Sequence, residues 1–333
     1  MSENYQKTRQ QNLLEIKDLN IFFKSDKNPA PIHAVRDLSF SLKQGEMLGV
    51  VGESGSGKSI TNLALMGILG DGAIVKAREC SFNGRELLSL KEHEWQKVRG
   101  GEIAMIFQDP MTALNPFLTV EFQIVETILA HLNISKSEAK NRAIELLLQV
   151  GITSPKDRLK SYPFELSGGM AQRVMIAMAI STSPKLLIAD EPTTALDVTI
   201  QKQILTLIKS LQEKNNMSVI LVTHDLGVVS EFSERVQVMY AGELVETGLT
   251  SELIKNPHHP YTFGLLSSRP GAVERKAKTP LASIAGIVPA FHQRPFGCQF
   301  NPRCTHVQED CKLKSIPIEQ GVRCLHPMKE ALS

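Results

Sequence analysis

Leu48-Gly49-Val50-Val51-Gly52-Glu53-Ser54-Gly55-Ser56-Gly57-Lys58-Ser59 is the stretch whose reading decides the fold. An apolar run leads in, a glycine-rich turn follows, and a helical pattern runs on from Lys58 to Leu69. Strand, turn and helix in that order are the setting in which this spacing of Gly, Lys and Ser makes a phosphate-binding loop. Gly52, Gly55 and Gly57 let the backbone, with Glu53, Ser54 and Ser56 between them, curl around phosphate oxygens with N–H groups inward. The helix that follows adds free N–H groups and its dipole. Lys58 supplies a cation for the β/γ-phosphates, and the Ser59 hydroxyl a ligand for Mg²⁺. A glycine-rich turn that binds nothing is disfavoured by this setting. The loop predicts a nucleoside triphosphate and leaves open what its energy is used for.

The 333 residues allow one large or two modest domains, and 42% hydrophobic content is ample for a packed α/β core. With 37 basic and 35 acidic residues, net +2, charge gives no argument for nucleic-acid binding. Met1 to Asn12 is polar with no apolar signal core, and no apolar run approaches the ~18 residues of a membrane helix. The chain is expected to be cytosolic, reaching a membrane only by docking on another chain.

Outward from the loop, residues 13–51 read as strands and turns, with Leu38, Phe40 and Leu42 alternating with Ser39 and Ser41. The polar loop Lys24–Pro31 separates two of these strands. Phe23, near the end of the first, suits either stacking on a nucleobase or core packing. Ile103–Phe107 is a short buried strand that delivers Gln108, placed to reach Mg²⁺ or the attacking water. Helical character runs from Glu121 to Val150, a helical insert between core strands. Leu166-Ser167-Gly168-Gly169-Met170 opens a helix, with Ser167 as N-cap and two bare glycine N–H groups suited to an oxyanion. Since the first loop already holds a triphosphate, Ser167, Gly168 and Gly169 point to a nucleotide held by another chain.

Leu186-Leu187-Ile188-Ala189 runs into Asp190-Glu191, the Walker B pattern. Asp190 is placed to bind Mg²⁺ and Glu191 to orient or deprotonate water. Thr194-Ala195-Leu196-Asp197 caps the next helix, and Val219–Val222 delivers His224 to the edge where α/β sheets place their ligands. Val236–Tyr240 and Leu244–Thr247 read as a closing hairpin.

Residues 13–250 thereby resemble the nucleotide-binding subunit of an ATP-binding cassette (ABC) transporter. The matching motifs, in family order, are the phosphate loop at 52–59, a Q-loop at Gln108, the LSGG signature at 166–169, Walker B at 186–191, a D-loop around Asp197 and a switch histidine at His224. The resemblance implies an α/β fold with a mixed-sheet core, an antiparallel β subdomain and a helical subdomain at about 109–182. It also implies that two such domains close on two ATP molecules, each held between one subunit's phosphate loop and the other's Ser167-Gly168-Gly169. Glu191, His224 and Gln108 would be the catalytic set, with Phe23 and Asp197 at the nucleotide. Met170 departs from the Gln usual in the family, which touches that side chain's contact but not the glycine N–H groups.

Asn256-Pro257-His258-His259-Pro260-Tyr261-Thr262 in the extension 251–333 is similar to the tail of peptide-permease ATPases. The resemblance implies an ATPase of a dipeptide or oligopeptide importer, on the cytoplasmic face of the membrane. Its partners would be a second, non-identical ATPase, two membrane permease subunits and an external binding protein. Nickel import by the same family is the alternative, and a non-transport ABC ATPase a more remote one.

Cys298, Cys304, Cys311 and Cys324 cluster in the tail. In a cytosolic chain they argue for metal or cluster ligation over disulfides. The paired C-x₂₋₄-C units of zinc sites are absent, whereas Fe–S spacings vary more, and zinc or free thiols stay open. The resemblance to dipeptide-permease ATPases implies a [4Fe–4S] cluster here. Cys80 reads as an ordinary strand residue.

Overall fold

Period-two alternation, interrupted once, builds the first sheet in a computed structural model that describes residues 12–24, 30–194, 196–268 and 283–328. Most of the polar N-terminal segment, residues 25–29 of the polar loop and Ala195 therefore lie outside the described residues. β1 (Asn12–Phe23) buries Leu14 and Ile16, then Leu19 and Ile21. Asp18 at φ 53° lies where the pairing shifts between Ile16 and Leu19, and that extra residue returns the apolar side chains to the same face. β2 (Ile32–Lys43) pairs antiparallel with β1. β3 (Met47–Val51) is buried at every position and leads through the phosphate loop into α1 (Lys58–Leu65). The helix ends four residues short of the predicted Leu69. Gly67 turns the chain at φ 63° against the ring of Trp95. β4 (Ala73–Lys76), β5 (Glu79–Phe82) and β6 (Arg85–Glu86) complete the antiparallel sheet, followed by α2 (Glu92–Val98).

β7 (Ile103–Ile106) precedes the helical insert: α3 (Pro110–Ala113), α4 (Val120–His131), α5 (Lys136–Gln149), α6 (Pro155–Arg158) and α7 (Gly168–Ile180). The helical stretch predicted from Glu121 to Val150 is divided at Ser135, whose capping box with Glu138 starts a new helix. Then come β8 (Leu186–Asp190), α8 (Val198–Asn215), β9 (Ser218–Thr223) and α9 (Leu226–Phe232). β10 (Arg235–Tyr240) and β11 (Glu243–Leu249) form the predicted hairpin, turning at Ala241 and Gly242, both at positive φ.

The second sheet runs β11-β10-β3-β9-β8-β7, with all its pairs parallel except the hairpin. Its central strands are apolar on both faces, as strands covered on both sides must be. Leu48, Val50, Ile188 and Ile220 face a core shared with the antiparallel sheet. Met47, Leu187, Val219 and Leu221 face a core shared with α4, α5, α7 and α8. Each such side chain contributes about 1.5–3 kcal/mol by leaving water. α10 (Thr250–Lys255) and α11 (Pro260–Ser267) follow, and the tail packs Phe300 against Tyr240 and Tyr261 in a third cluster. Among the described residues no helix is long and apolar enough to cross a membrane.

Candidate active site

Parallel pairing of β3, β9, β8 and β7 puts four strand ends on one edge of the sheet. The residues that follow those ends are the phosphate loop, His224, Glu191 beside Asp190, and Gln108. A cavity of about 360 Å³ lies between them, lined by residues 54–60, Gln108, Glu191 and His224. This is the carboxyl edge, where open parallel sheets leave a crevice.

The loop needs glycine at two positions for distinct reasons. A Cβ on Gly52 would run into the Met239 carbonyl, and Gly57 holds φ 100° as it starts α1. Lys58 is 5% exposed and its Nζ donates to the carbonyls of Gly52 (2.7 Å) and Glu53 (3.0 Å) and to Ser56 Oγ (3.3 Å). Burial lowers its pKa, while Glu191, Asp190 and Glu53 oppose that shift. The ammonium is thus held over the loop by neutral acceptors that a phosphate can replace.

Asp190 is buried at the end of β8, and its Oδ1 has no hydrogen-bond partner. Burial raises its pKa, against the stabilising effect of Ser59 and Lys58. An unpaired, buried carboxylate oxygen next to a serine hydroxyl is an oxygen donor set suited to a hard divalent cation. Glu191 sits at φ 48°, an uncommon conformation for a side chain of its size. Its Oε2 accepts from Gln108 Nε2 (3.2 Å) and Thr194 Oγ1 (2.9 Å), and lies 3.6 Å from His224 Nδ1. The His224 contact holds the Glu191 carboxyl below its ordinary range and in turn raises the imidazole. Thr194 carried no sequence signal of its own, since its role depends on the turn that folds it back over Glu191.

Other candidates are not brought to this cavity. Phe23 closes β1, half-buried against the core shared with the antiparallel sheet, and is not among the cavity's lining residues. Ser167 caps α7, its hydroxyl accepting from Met170 N–H at 3.4 Å. Gly168 and Gly169 pack beside Leu196 and Ile200, next to Asp197, which caps α8 by accepting from Ile200 N–H at 3.0 Å. None of these residues lines the cavity.

In the tail, Cys298, Cys304, Cys311 and Cys324 are unpaired and line one cavity with His259, Phe300 and Ile316. Burial pushes the Cys298 thiol up to about 12, and its neighbours Cys324 and Cys304 add to the shift. His259 is 1% exposed; its Nδ1 accepts from Tyr261 N–H at 3.0 Å, so Nε2 carries the proton, and that N–H has no partner. Asp310, Cys311 and His326 bring their ligand atoms within 4.8 Å of one another, and His326 Nε2 already bonds Asp310 Oδ1 at 2.8 Å. Cys80, by contrast, is buried alone on β5.

Comparison with known proteins shows the family. Residues 35–194 match the ABC transporter family, and residues 245–311 match the oligopeptide/dipeptide transporter C-terminal region. The chain is 49% identical to the dipeptide transport ATP-binding protein DppD of Escherichia coli (strain K12), over 96% of this chain and 98% of the relative. It is 51% identical to the oligopeptide transport ATP-binding protein OppD of Bacillus subtilis (strain 168), over 89% and 82%. A dimeric structure of MJ0796, a bacterial ABC transporter cassette, superposes with a TM-score of 0.62 at 29% identity, covering 71% of this chain and 98% of that one. Another structure of that cassette, in a post-hydrolysis state, is bound to ADP and Pi.

Proposed function

This chain belongs to the dipeptide and oligopeptide transport ATP-binding proteins of the ABC transporter family, and we propose from that premise which residues do its work. The protein is an ATPase that powers peptide import. Residues 52–59 bind the phosphates, and Ser59, Asp190 and Gln108 hold Mg²⁺. Glu191 activates the attacking water, and His224 steadies it and the γ-phosphate. When bound, Mg²⁺ neutralises charge developing on the phosphates. The observation that carries this reading is the convergence of Gln108, Glu191 and His224 on one cavity with the phosphate loop. Phe23, half-buried at the end of β1, would meet the nucleobase with the exposed part of its ring.

Ser167, Gly168, Gly169 and Asp197 serve the ATP of a second, non-identical ATPase subunit. Ser167 and Gly168 are exposed and none of the signature lines this chain's own cavity, which supports that division, as does the likeness to a dimeric cassette. Residues 13–250 act as the cassette, with 109–182 as its helical part, and 251–333 as the extension. The assembly places the chain at the cytoplasmic face, docked on two permease subunits that receive peptide from an external binding protein.

The tail thiols hold a [4Fe–4S] cluster. Four free cysteines on one cavity, with an unpartnered His259 N–H among the lining groups, fit a sulfur-rich group that accepts hydrogen bonds. When bound, the cluster cross-links four thiolates in a segment of short turns. Anaerobic purification with iron, sulfide and zinc analysis tests it. Four irons and four sulfides per chain are expected, whereas zinc, or no metal, removes the cluster.

Transport is tested by ATP-dependent uptake of a labelled dipeptide into vesicles carrying the whole assembly. Uptake of Ni²⁺ without peptide would replace the peptide reading with metal import.

A further inference from the structure

Glu53, the second residue of the phosphate loop, is held at three points. Its carbonyl accepts from Lys58 Nζ at 3.0 Å. Its N–H donates to the Tyr261 hydroxyl at 2.9 Å. Its carboxylate takes a two-pronged pair from Arg303, Nη1 to Oε2 at 2.6 Å and Nη2 to Oε1 at 3.1 Å. Tyr261 lies on α11 and Arg303 directly precedes Cys304, so two of the three holds come from the C-terminal extension.

Arg303 is itself fixed. Nε donates to the Ala285 carbonyl (2.8 Å), and Nη2 reaches those of Gly286 (3.2 Å) and Ile284 (3.3 Å). Nη1 also reaches the Tyr240 hydroxyl at 3.4 Å, and the guanidinium lies over the Tyr240 and Phe300 rings. With the side chain 5% exposed and its donors in use, this planar fork is committed to one orientation. Glu53 is the only acidic residue between Gly52 and Ser59. Its charge opposes an incoming triphosphate unless it is cancelled, and the cost of an unpaired charge grows as water is excluded.

We propose that Arg303 is a positioning residue for ATP binding: paired with Glu53, it cancels the loop's acidic charge and sets the backbone that holds Lys58. Because Cys304 is the next residue, this path couples the thiol cavity to the ATP site. The inference rests on the phosphate-loop reading but not on which group the thiols hold.

The test is steady-state ATPase kinetics of the whole transport assembly, with ATP affinity measured on the full chain. Arg303→Met raises KM and Kd for ATP about tenfold, the size expected for a lost charge-assisted pair, and leaves kcat within about twofold. Arg303→Lys, which keeps the charge but not the fork, recovers part of the loss. Glu53→Gln placed on Arg303→Met restores affinity, since the uncancelled charge is gone. Tyr261→Phe keeps the ring and raises KM about threefold, which preserves the test if Arg303→Met does not fold. The proposal is overturned if these KM values match the parent, if kcat alone falls, or if the double variant binds ATP no better than Arg303→Met. Lys58→Ala is the control: normal ATP binding there discards the phosphate-loop reading itself, whereas lost binding there with normal Arg303 variants discards only the role of Arg303.

Discussion

Nδ1 of His224 stands 3.6 Å from Oε2 of Glu191, across the gap between the ends of β9 and β8. The same oxygen accepts from Gln108 and Thr194, so one carboxylate gathers its own turn and the ends of two other strands. The imidazole is raised above its ordinary 6.5, chiefly by Glu191. Its stabilising contribution is complete below 6.5 and is lost as pH rises through the raised value. Glu191 is lowered from 4.5 chiefly by His224, so its contribution is complete above 4.5 and is lost as pH falls through the lowered value. NMR titration of His224 is expected to give a midpoint above 6.5 that drops in Glu191→Gln. A midpoint indifferent to that substitution would sink the pairing.

Glu191→Gln is expected to lower ATP turnover by about 10²–10⁴ while ATP still binds, since it removes a general base and leaves the phosphate loop intact. The proposed second ATPase subunit would bring its own glutamate, so turnover is read in the assembled transporter with both glutamates replaced. Turnover within a fewfold of the parent would discard the role of Glu191.

Gly52→Ala places a methyl against the Met239 carbonyl, a backbone atom that cannot swing aside. The loop and β10 must separate, at a cost of about 1–3 kcal/mol. A lowered melting temperature together with weakened ATP binding is expected. Gly55→Ala serves as the contrast, because a Cβ there meets nothing within 4 Å and only its φ of 80° opposes the change.

Cys298 N–H donates to the Cys311 carbonyl at 2.8 Å, so two of the tail cysteines share a backbone tie as well as a cavity. With the proposed cluster in place, its removal by a chelator is expected to speed hydrogen exchange at that amide and around Cys304, while amides of β8 and β9 keep their protection. Unchanged exchange at Cys298 would show that the thiols hold no group that braces the tail.

Much of the ATP site was legible because its pieces are local. Each strand carries a short apolar run, and its functional residue lies at the strand end or within two residues of it, as Glu191 follows Leu186–Asp190, His224 follows Ser218–Thr223 and Gln108 comes two residues after Ile106. α1 ends before Leu69 although Leu69 continues the apolar pattern, because Gly67 turns the chain against Trp95 of a distant helix. The contacts of Thr194 with Glu191 and of Arg303 with Glu53 left no trace in periodicity or motif. Thr194 and Arg303 are single polar residues whose partners are chosen by the fold.

The sequence by itself determined a phosphate loop, its Walker B pair, a signature that fits no site of its own, and a tail rich in thiols. Those are consequences of residue type and spacing along the chain. Only the tertiary structure decided that the tail reaches back to the loop, through Arg303 and Tyr261 to Glu53, some 200 to 250 residues earlier. Such a contact needs the β10–β11 hairpin, α11 and the tail's aromatic cluster to bring its partners together. Short-range patterns record which surfaces are apolar. Which buried charge meets which is settled when those surfaces close.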